Sequence, residues 1–277
     1  LKKLKMHSKL QANNIGLRSS LILLLTTAIG LTAFCWPLLL SADSQLSKTT
    51  APILTALIIP LALLVVFTDL ADGMLNSKAV ALLGLMASLI AAARLFGTHS
   101  FGVEPMWALI IISGRAIGPS FGFSVGSLGM ASSALITGGI GPWLPFQMLA
   151  AGWIGLLSGL IPFPKGRAEV PLLALFGAFS GIFVGLLLNM WFWPTAIGSD
   201  TSISFEQGAP FIQNISRLLA FTMATSLAFD LPRAIITAVI ISTVGAGMLR
   251  ALRRAARTAI FVTEVQWQTQ TSAKSLS

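Results

Sequence analysis

Apolar positions in this chain come in long runs. A bilayer core needs roughly 17–25 apolar residues per helix, and runs of about that length fall at residues 20–40, 52–69, 79–95, 119–138, 143–162 and 170–192. The sequence therefore predicts an all-α, polytopic membrane helix bundle. Two regions are less regular. Residues 105–114 (PMWALIIISG) are short for a full crossing, and residues 214–250 are long for one, with Asp230, Pro232 and Arg233 interrupting the middle. Irregular backbone at membrane depth is tolerated where it is buried in protein or lines a cavity. Gly114, Gly118, Gly122 and Gly126 recur every four residues in GRAIGPSFGFSVGS, leaving one face nearly bare backbone. Small residues at that spacing let helices approach closely in lipid. Pro119 removes a donor inside the ladder, so GRAIGP reads as the junction between two spans.

Composition agrees. Of 277 residues 55% are apolar and 10% charged, with a mean hydropathy of +0.85, which excludes a water-soluble domain. The 18 Lys and Arg against 9 Asp and Glu give a formal net charge of +9. That excess gathers at span ends and makes no basic face for nucleic acid. Cys35, the single cysteine, lies in an apolar run and reads as a buried structural thiol. Residues 20–40 are too long for the apolar core of a secretory signal and lack a small-residue cleavage site, so they read as a retained span.

Charge also sets orientation. Lys2, Lys3, Lys5, Lys9 and Arg18 precede the first span, and Arg250, Arg253, Arg254 and Arg257 follow the last, so both termini are expected in the cytoplasm. Counting 105–114 as a crossing and 214–250 as only one gives eight crossings. Lys78, Arg115, Lys165 and Arg167 then share the cytoplasmic side, while the connections at 96–104, 138–142 and 193–213 contain no Lys or Arg. The tail LRALRRAARTAIF is a basic amphipathic segment that attracts anionic lipid headgroups, by about 1 kcal/mol per basic residue near the surface.

Trp36, Trp107, Trp143, Trp191 and Trp193 all fall at expected outer ends. Interfacial Trp belts occupy both faces of a bilayer, so a one-sided set points to stacking against a flat ligand, with interfacial anchoring as the competing role of each ring. Trp143 and Trp191 are the preferred pair, each close to an amide, Gln147 and Asn189 respectively. Charges within spans are costly and face cavities or each other. Arg94 and Glu104 flank one outer loop, with a plain ion pair as one reading and ligand contact as the other. Asp230 and Arg233, three residues apart across Leu231 and Pro232, are expected to neutralise one another at a helix break. Arg217 has no local partner in the sequence and is the leading candidate for an anionic or carbonyl group of a substrate.

Several chemistries have no motif. There is no G-x-x-x-x-G-K-[ST] loop for ATP and no H-E-x-x-H, and His7 and His99 are far apart. Gly122 to Gly126 matches G-x-S-x-G, but a nucleophile elbow needs a strand-to-helix turn, and this match sits in an expected membrane helix. It reads as packing.

From Lys78 onward the features follow a recognisable order: an alanine-rich helix (AVALLGLMASLIAAAR), an outer loop, a short helix, the GRAIGP junction, a glycine-rich span, the loop GGIGPWLPFQ, and a terminal span with a basic tail. This order resembles the substrate-specific component, or S-component, of energy-coupling factor (ECF) vitamin transporters. GPWLPFQ, NMWFWP, TSLAFDLPRA and LRALRRAAR resemble strings of an actinobacterial-type branch. The resemblance implies a six-helix core over 79–250, two additional helices within 19–78, and cytoplasmic ends at 1–18 and 251–277. It implies a non-enzymatic membrane subunit, without cofactor, that captures a vitamin outside the cell and works with a transmembrane coupling protein and two ATPases. Arg94, Glu104, Trp107, Trp143, Gln147, Asn189, Trp191 and Arg217 are the expected substrate-binding set, with a planar, largely uncharged, cobalamin-like ligand as the favoured type. Gly84, Ala87, Ser88 and Ala91 form the small-residue stripe that the resemblance assigns to the coupling protein, with packing inside the bundle as the competing role. The alternatives are a stand-alone secondary transporter, for which Asp69, Asp72 and Asp230 are the acidic candidates, and an intramembrane enzyme.

Overall fold

Where glycines recur every fourth residue, these helices meet backbone to backbone. A computed structural model describes residues 17–39, 64, 77–97, 102–196, 201–206 and 208–274, with backbone alone at 17–19, 36, 37, 39, 195 and 258–274. The expected span at 52–69, the rings of His7, His99 and Trp36, Asp69, Asp72 and the basic side chains before the first span lie outside the described residues. Among the described residues there are eight helices and no strand: α1 (Leu17–Leu39), α2 (Ser77–Gly97), α3 (Met106–Ile117), α4 (Pro119–Thr137), α5 (Leu144–Leu160), α6 (Glu169–Ala196), α7 (Phe211–Thr225) and α8 (Leu227–Lys274). Ser77–Gly97, Glu169–Pro194 and Leu227–Arg257 are each long and apolar enough to cross a bilayer, and Ser20–Cys35, Met106–Ile117 and Leu144–Leu160 are shorter apolar helices. The fold is that of a multi-pass membrane protein.

The junction at GRAIGP forms as its residues dictate. Gly118 takes φ 147° and ψ 169°, open to a residue without Cβ, and Pro119 starts α4 where its missing N–H is no loss. The glycine ladder is thereby divided between α3 and α4, and both parts face α5. A Cβ on Gly114 or Gly122 would overlap the carbonyl of Gly155, and one on Gly126 would overlap that of Ala151. Glycines answer from the other side: Gly155 lies on the Gly122 carbonyl, and Gly159 on Pro119 and the Gly114 carbonyl.

A second seam joins α6 to α7 and α8. Asn189 bonds to Thr222 and Ser226, Gly185 abuts Asp230, Gly181 abuts Ala234, and Gly177 abuts Thr237. Numbers fall on one side as they rise on the other, so α7 and α8 run along α6 antiparallel, in one direction. The region 214–250 is thus one path in two helices. Its break lies at Ser226, upstream of the expected one at Asp230–Pro232. Phe229 and Asp230 both donate to the Ser226 carbonyl, opening α8. Pro232 then falls close to the start of α8, where the lost bond disturbs little of the helix.

α1 packs on α5 and α6. Phe34 meets Phe146 edge-on at 4.9 Å and Trp153 at 5.6 Å, Trp153 Nε1 donates to Thr27 at 3.2 Å, and the Cys35 thiol lies 3.6 Å from the Met190 sulfur. The half-buried thiol belongs to packing. At the end where α3 closes and α6 opens, Glu169 takes both Arg115 (2.7 Å) and Arg253 (2.5 Å). Arg115 also donates to the carbonyl of Phe163 at 2.8 Å and sits over its ring.

Overpacking a tight interface costs about 1–3 kcal/mol. Gly155→Leu is expected to lower the thermal midpoint in detergent by several degrees. Gly247→Leu, at a position where a Cβ meets nothing within 4 Å, is expected to leave it unchanged.

Candidate functional site

The polar side chains that an apolar bundle pays most to bury are gathered at the end opposite the Glu169 clamp. α2 contributes Arg94 from its last turn. Its Nη1 donates to Ser133 Oγ of α4 at 2.7 Å and its Nη2 to Gln147 Oε1 of α5 at 2.8 Å. Ser133 in turn donates to the Met130 carbonyl. Arg94 therefore spans three helices through neutral acceptors. No carboxylate among the described residues lies within ion-pair distance of it.

Glu104, just before α3, has other partners. Trp107 Nε1 donates to its Oε2 at 2.6 Å, and Arg233 Nε donates to the same oxygen at 2.8 Å. Arg233 extends to Asp230 Oδ1 at 2.6 Å and to the Gly181 carbonyl at 3.2 Å. One guanidinium thus joins the α2–α3 connection, α6 and α8. The expected Arg94–Glu104 pair is replaced by this arrangement, because Arg233 occupies the carboxylate. The neutralisation of Asp230 by Arg233 is present as expected. Asp230 Oδ2 is buried against Gly185 without a hydrogen-bond partner.

The α6 end is organised around Asn189. Its amide donates to Thr222 at 3.1 Å and Ser226 at 2.6 Å, so it splints the α7–α8 break. Two residues on, Trp191 stacks flat on Phe146 at 4.5 Å and 2°. Gln147, next to Phe146, is the residue that Arg94 grips, so the Trp191 stack and the Arg94 network meet on the first turns of α5.

Three expectations change here. Arg217 has partners after all: it pairs with Glu206 and donates to the Ser204 carbonyl. The loop that supplies them packs back on α6, because Trp193 Nε1 donates to the Ile203 carbonyl at 2.7 Å and Phe205 abuts the Trp193 ring. Arg217 is thus held by a carboxylate, whereas the hydrogen-bond acceptors of Arg94 are neutral. The tryptophans do not form one stacking wall. Trp107 and Trp193 are 2% and 1% exposed with their N–H groups satisfied inside the protein, while Trp143 is 43% exposed and donates to the Gly139 carbonyl. Trp191 alone of the four sits half-buried beside the polar network.

The small-residue stripe on α2 also divides. Ala87 and Ala91 are buried inside the bundle, at 4% and 0% exposure, and cannot touch a docking partner. They lie beside Met86 and Ile90, whose side chains fill the core, and Ile90 fits against Gly129 of α4. Gly84 and Ser88 are on the exposed face. The G-x-S-x-G match is helical throughout, and the Ser124 hydroxyl is buried without any partner, so it has no base to activate it. Residues that sequence reasoning passed over include Ser133, Phe146 and Glu169. The spacing in WIGLLSGL and FGAFSGIFVG offered the partner glycines; nothing in sequence marked Ser133.

Comparison with family models, with characterised proteins and with solved structures gives no match.

Removing one partner of a buried ion pair costs about 3–5 kcal/mol, whereas an exposed pair contributes about 0–1 kcal/mol. Arg233→Met strands Glu104 and Asp230 and is expected to lower thermal stability strongly. Arg217→Met, whose partner Glu206 is exposed, is expected to shift it little; thermal unfolding in detergent with both variants side by side checks the order.

Proposed function

We propose that this chain is the solute-binding membrane subunit of an ECF-type importer, taking up a vitamin or related micronutrient for partner subunits to import with ATP. One observation carries the reading: Arg94, held by Ser133 and Gln147 with no carboxylate in ion-pair contact among the described residues, sits in the last turn of a membrane-length helix. A half-buried guanidinium at a span end whose acceptors are a hydroxyl and an amide has donors suited to a polar group of a solute. In the orientation drawn from the Lys and Arg distribution, with both termini cytoplasmic, that end of the bundle opens outward.

In this reading Arg94 and Gln147 bind a polar group of the solute, and Trp191 offers a ring edge to its flat part. Glu104, Trp107, Asp230 and Arg233 fix the loop and helix ends around it, and Asn189 keeps α7 in place. The six-helix core over 79–250 corresponds to α2 through α8, with α7 and α8 together serving as its last member. α1 is an accessory helix that braces α5 and α6. The coupling protein docks on the exposed face of α2 through Gly84 and Ser88, where a Cβ on Gly84 meets nothing within 4 Å. No nucleotide loop is present, so the energy comes from the two ATPases.

A stand-alone secondary transporter is the second reading, favoured by the unpartnered, buried Asp230 Oδ2. Transporter sites of that kind bind coupling ions near the bilayer midplane. Uptake separates the two: the importer reading expects no accumulation by the protein alone in sealed liposomes under an ion gradient, and ATP-dependent accumulation once the coupling protein and ATPases are present. Accumulation by the protein alone overturns it.

The solute is identified by mass spectrometry of what copurifies. Arg94→Met is then expected to weaken its binding by at least about tenfold, the loss of one charge-assisted hydrogen bond of roughly 1.5–3 kcal/mol. Gly84→Leu is expected to reduce copurification of the coupling protein while leaving solute affinity intact. Ala87→Leu instead lowers stability, because its side chain is buried.

A further inference from the structure

The three side chains that meet at Arg94 have spent their acceptors and kept donors. Ser133 Oγ accepts from Arg94 and gives its own proton to the Met130 carbonyl, and the Gln147 amide oxygen accepts the second Arg94 bond. Arg94 itself carries only donors. Its Nε–H and the Gln147 Nε2 amide have no partner among the described residues, and neither side chain is fully buried. What α2 and α5 have left to offer a ligand here is therefore N–H groups without a lone pair among them.

Charge narrows the choice further. The Glu104 side chain lies against Gly97, one turn beyond Arg94 on α2. Its carboxylate is bound by Trp107 and by Arg233, which Asp230 shares. Among the described residues, Arg94 and Arg233 are thus balanced by Glu104 and Asp230. A carboxylate or phosphate added at Arg94 leaves this cluster with a net negative charge beside Glu104, which is costly at a span end. An ammonium meets the guanidinium and spent acceptors. A neutral oxygen takes the free N–H groups and leaves the balance intact.

We infer that the solute group recognised by Arg94 and Gln147 is an uncharged carbonyl oxygen, as in an amide, a lactam or an imide. This rests on the solute-binding role proposed above and narrows it to a class of ligand. A carbonyl oxygen has two lone pairs and no hydrogen, so it can take one N–H from each side chain at once. Hydrogen bonds from a charged donor are stronger than those between neutral groups, which gives Arg94 the larger share. Ser133 and Gln147 already hold the guanidinium in position, so little freedom is lost when the ligand binds.

Benzamide, benzoate and benzylammonium are probes of similar size that differ in this one group. Thermal unfolding of the full chain in detergent is followed over a concentration series of each. Benzamide is expected to raise the midpoint at lower concentration than the other two, since a ligand that binds only the folded state stabilises it by mass action. Gln147→Glu removes the amide donor and gives Arg94 a carboxylate, and is expected to weaken the benzamide response about two- to tenfold, the loss of one neutral hydrogen bond. Arg94→Met is expected to abolish the preference, and Arg217→Met, outside the network, to keep it. The copurifying solute is expected to carry a carbonyl group. A preference for benzoate or benzylammonium, or no difference among the three, overturns the inference. So does a benzamide preference that survives both network variants, or a copurifying solute without a carbonyl. The importer reading is tested separately: benzoate preference with ATP-dependent uptake overturns this inference alone, whereas benzamide preference with accumulation by the protein alone overturns the importer alone.

Discussion

The close approach of α4 to α5, main chain against main chain, is the constraint on which the rest of the bundle depends. Lipid is as apolar as leucine, so burying leucine gives helices no reason to prefer each other. Dispersion does, and it weakens steeply with distance, so contact has to be tight over a long seam. Glycines on both helices remove the side chains that would hold the backbones apart. A related solution recurs on α6, where Gly181 receives the Ala234 backbone while Gly177 and Gly185 make room for the Thr237, Ile241 and Asp230 side chains of α8. Two seams of this kind fix the helices closely enough for polar side chains at their ends to find partners.

Those partners are arranged as two charge clusters at opposite ends of α3. At one, Glu169 is shared by Arg115 and Arg253; at the other, Arg233 is shared by Glu104 and Asp230. Each cluster uses a central group with two opposite charges around it. A buried ion pair adds little net stability but is costly to break, so these clusters fix register more than they add strength. Arg94 stands apart because its acceptors are an amide and a hydroxyl. Its position is fixed from three helices.

Much of the helix layout was legible in the sequence. The runs at 79–95, 119–138, 143–162 and 170–192 lie within a few residues of α2, α4, α5 and α6, and GRAIGP is the α3–α4 junction. Pairing was less legible, since Gly114, Gly122 and Gly126 announce a close contact without naming the helix that makes it. The inward face of α2 was hidden for a related reason. AVALLGLMASLIAAAR is apolar on every side, so nothing in it distinguishes the buried Ala87 and Ala91 from the exposed Gly84 and Ser88. Arg217 was misread because its partner Glu206 lies in a connection, where no periodicity helps. The indoles were misread because a Trp at a span end can point into the protein as readily as into the interface. The neutral acceptors of Arg94 could be assigned only with Glu104 seen to pair with Arg233.

α8 continues as helix from Leu227 to Lys274, past the arginine cluster that ends at Arg257. At 1.5 Å per residue the remainder is a rod of about 25 Å. A tilt of α8 by about ten degrees sweeps the far end of that rod through about 4 Å. A straight extension of that length magnifies at its tip any reorientation of the helix that carries it.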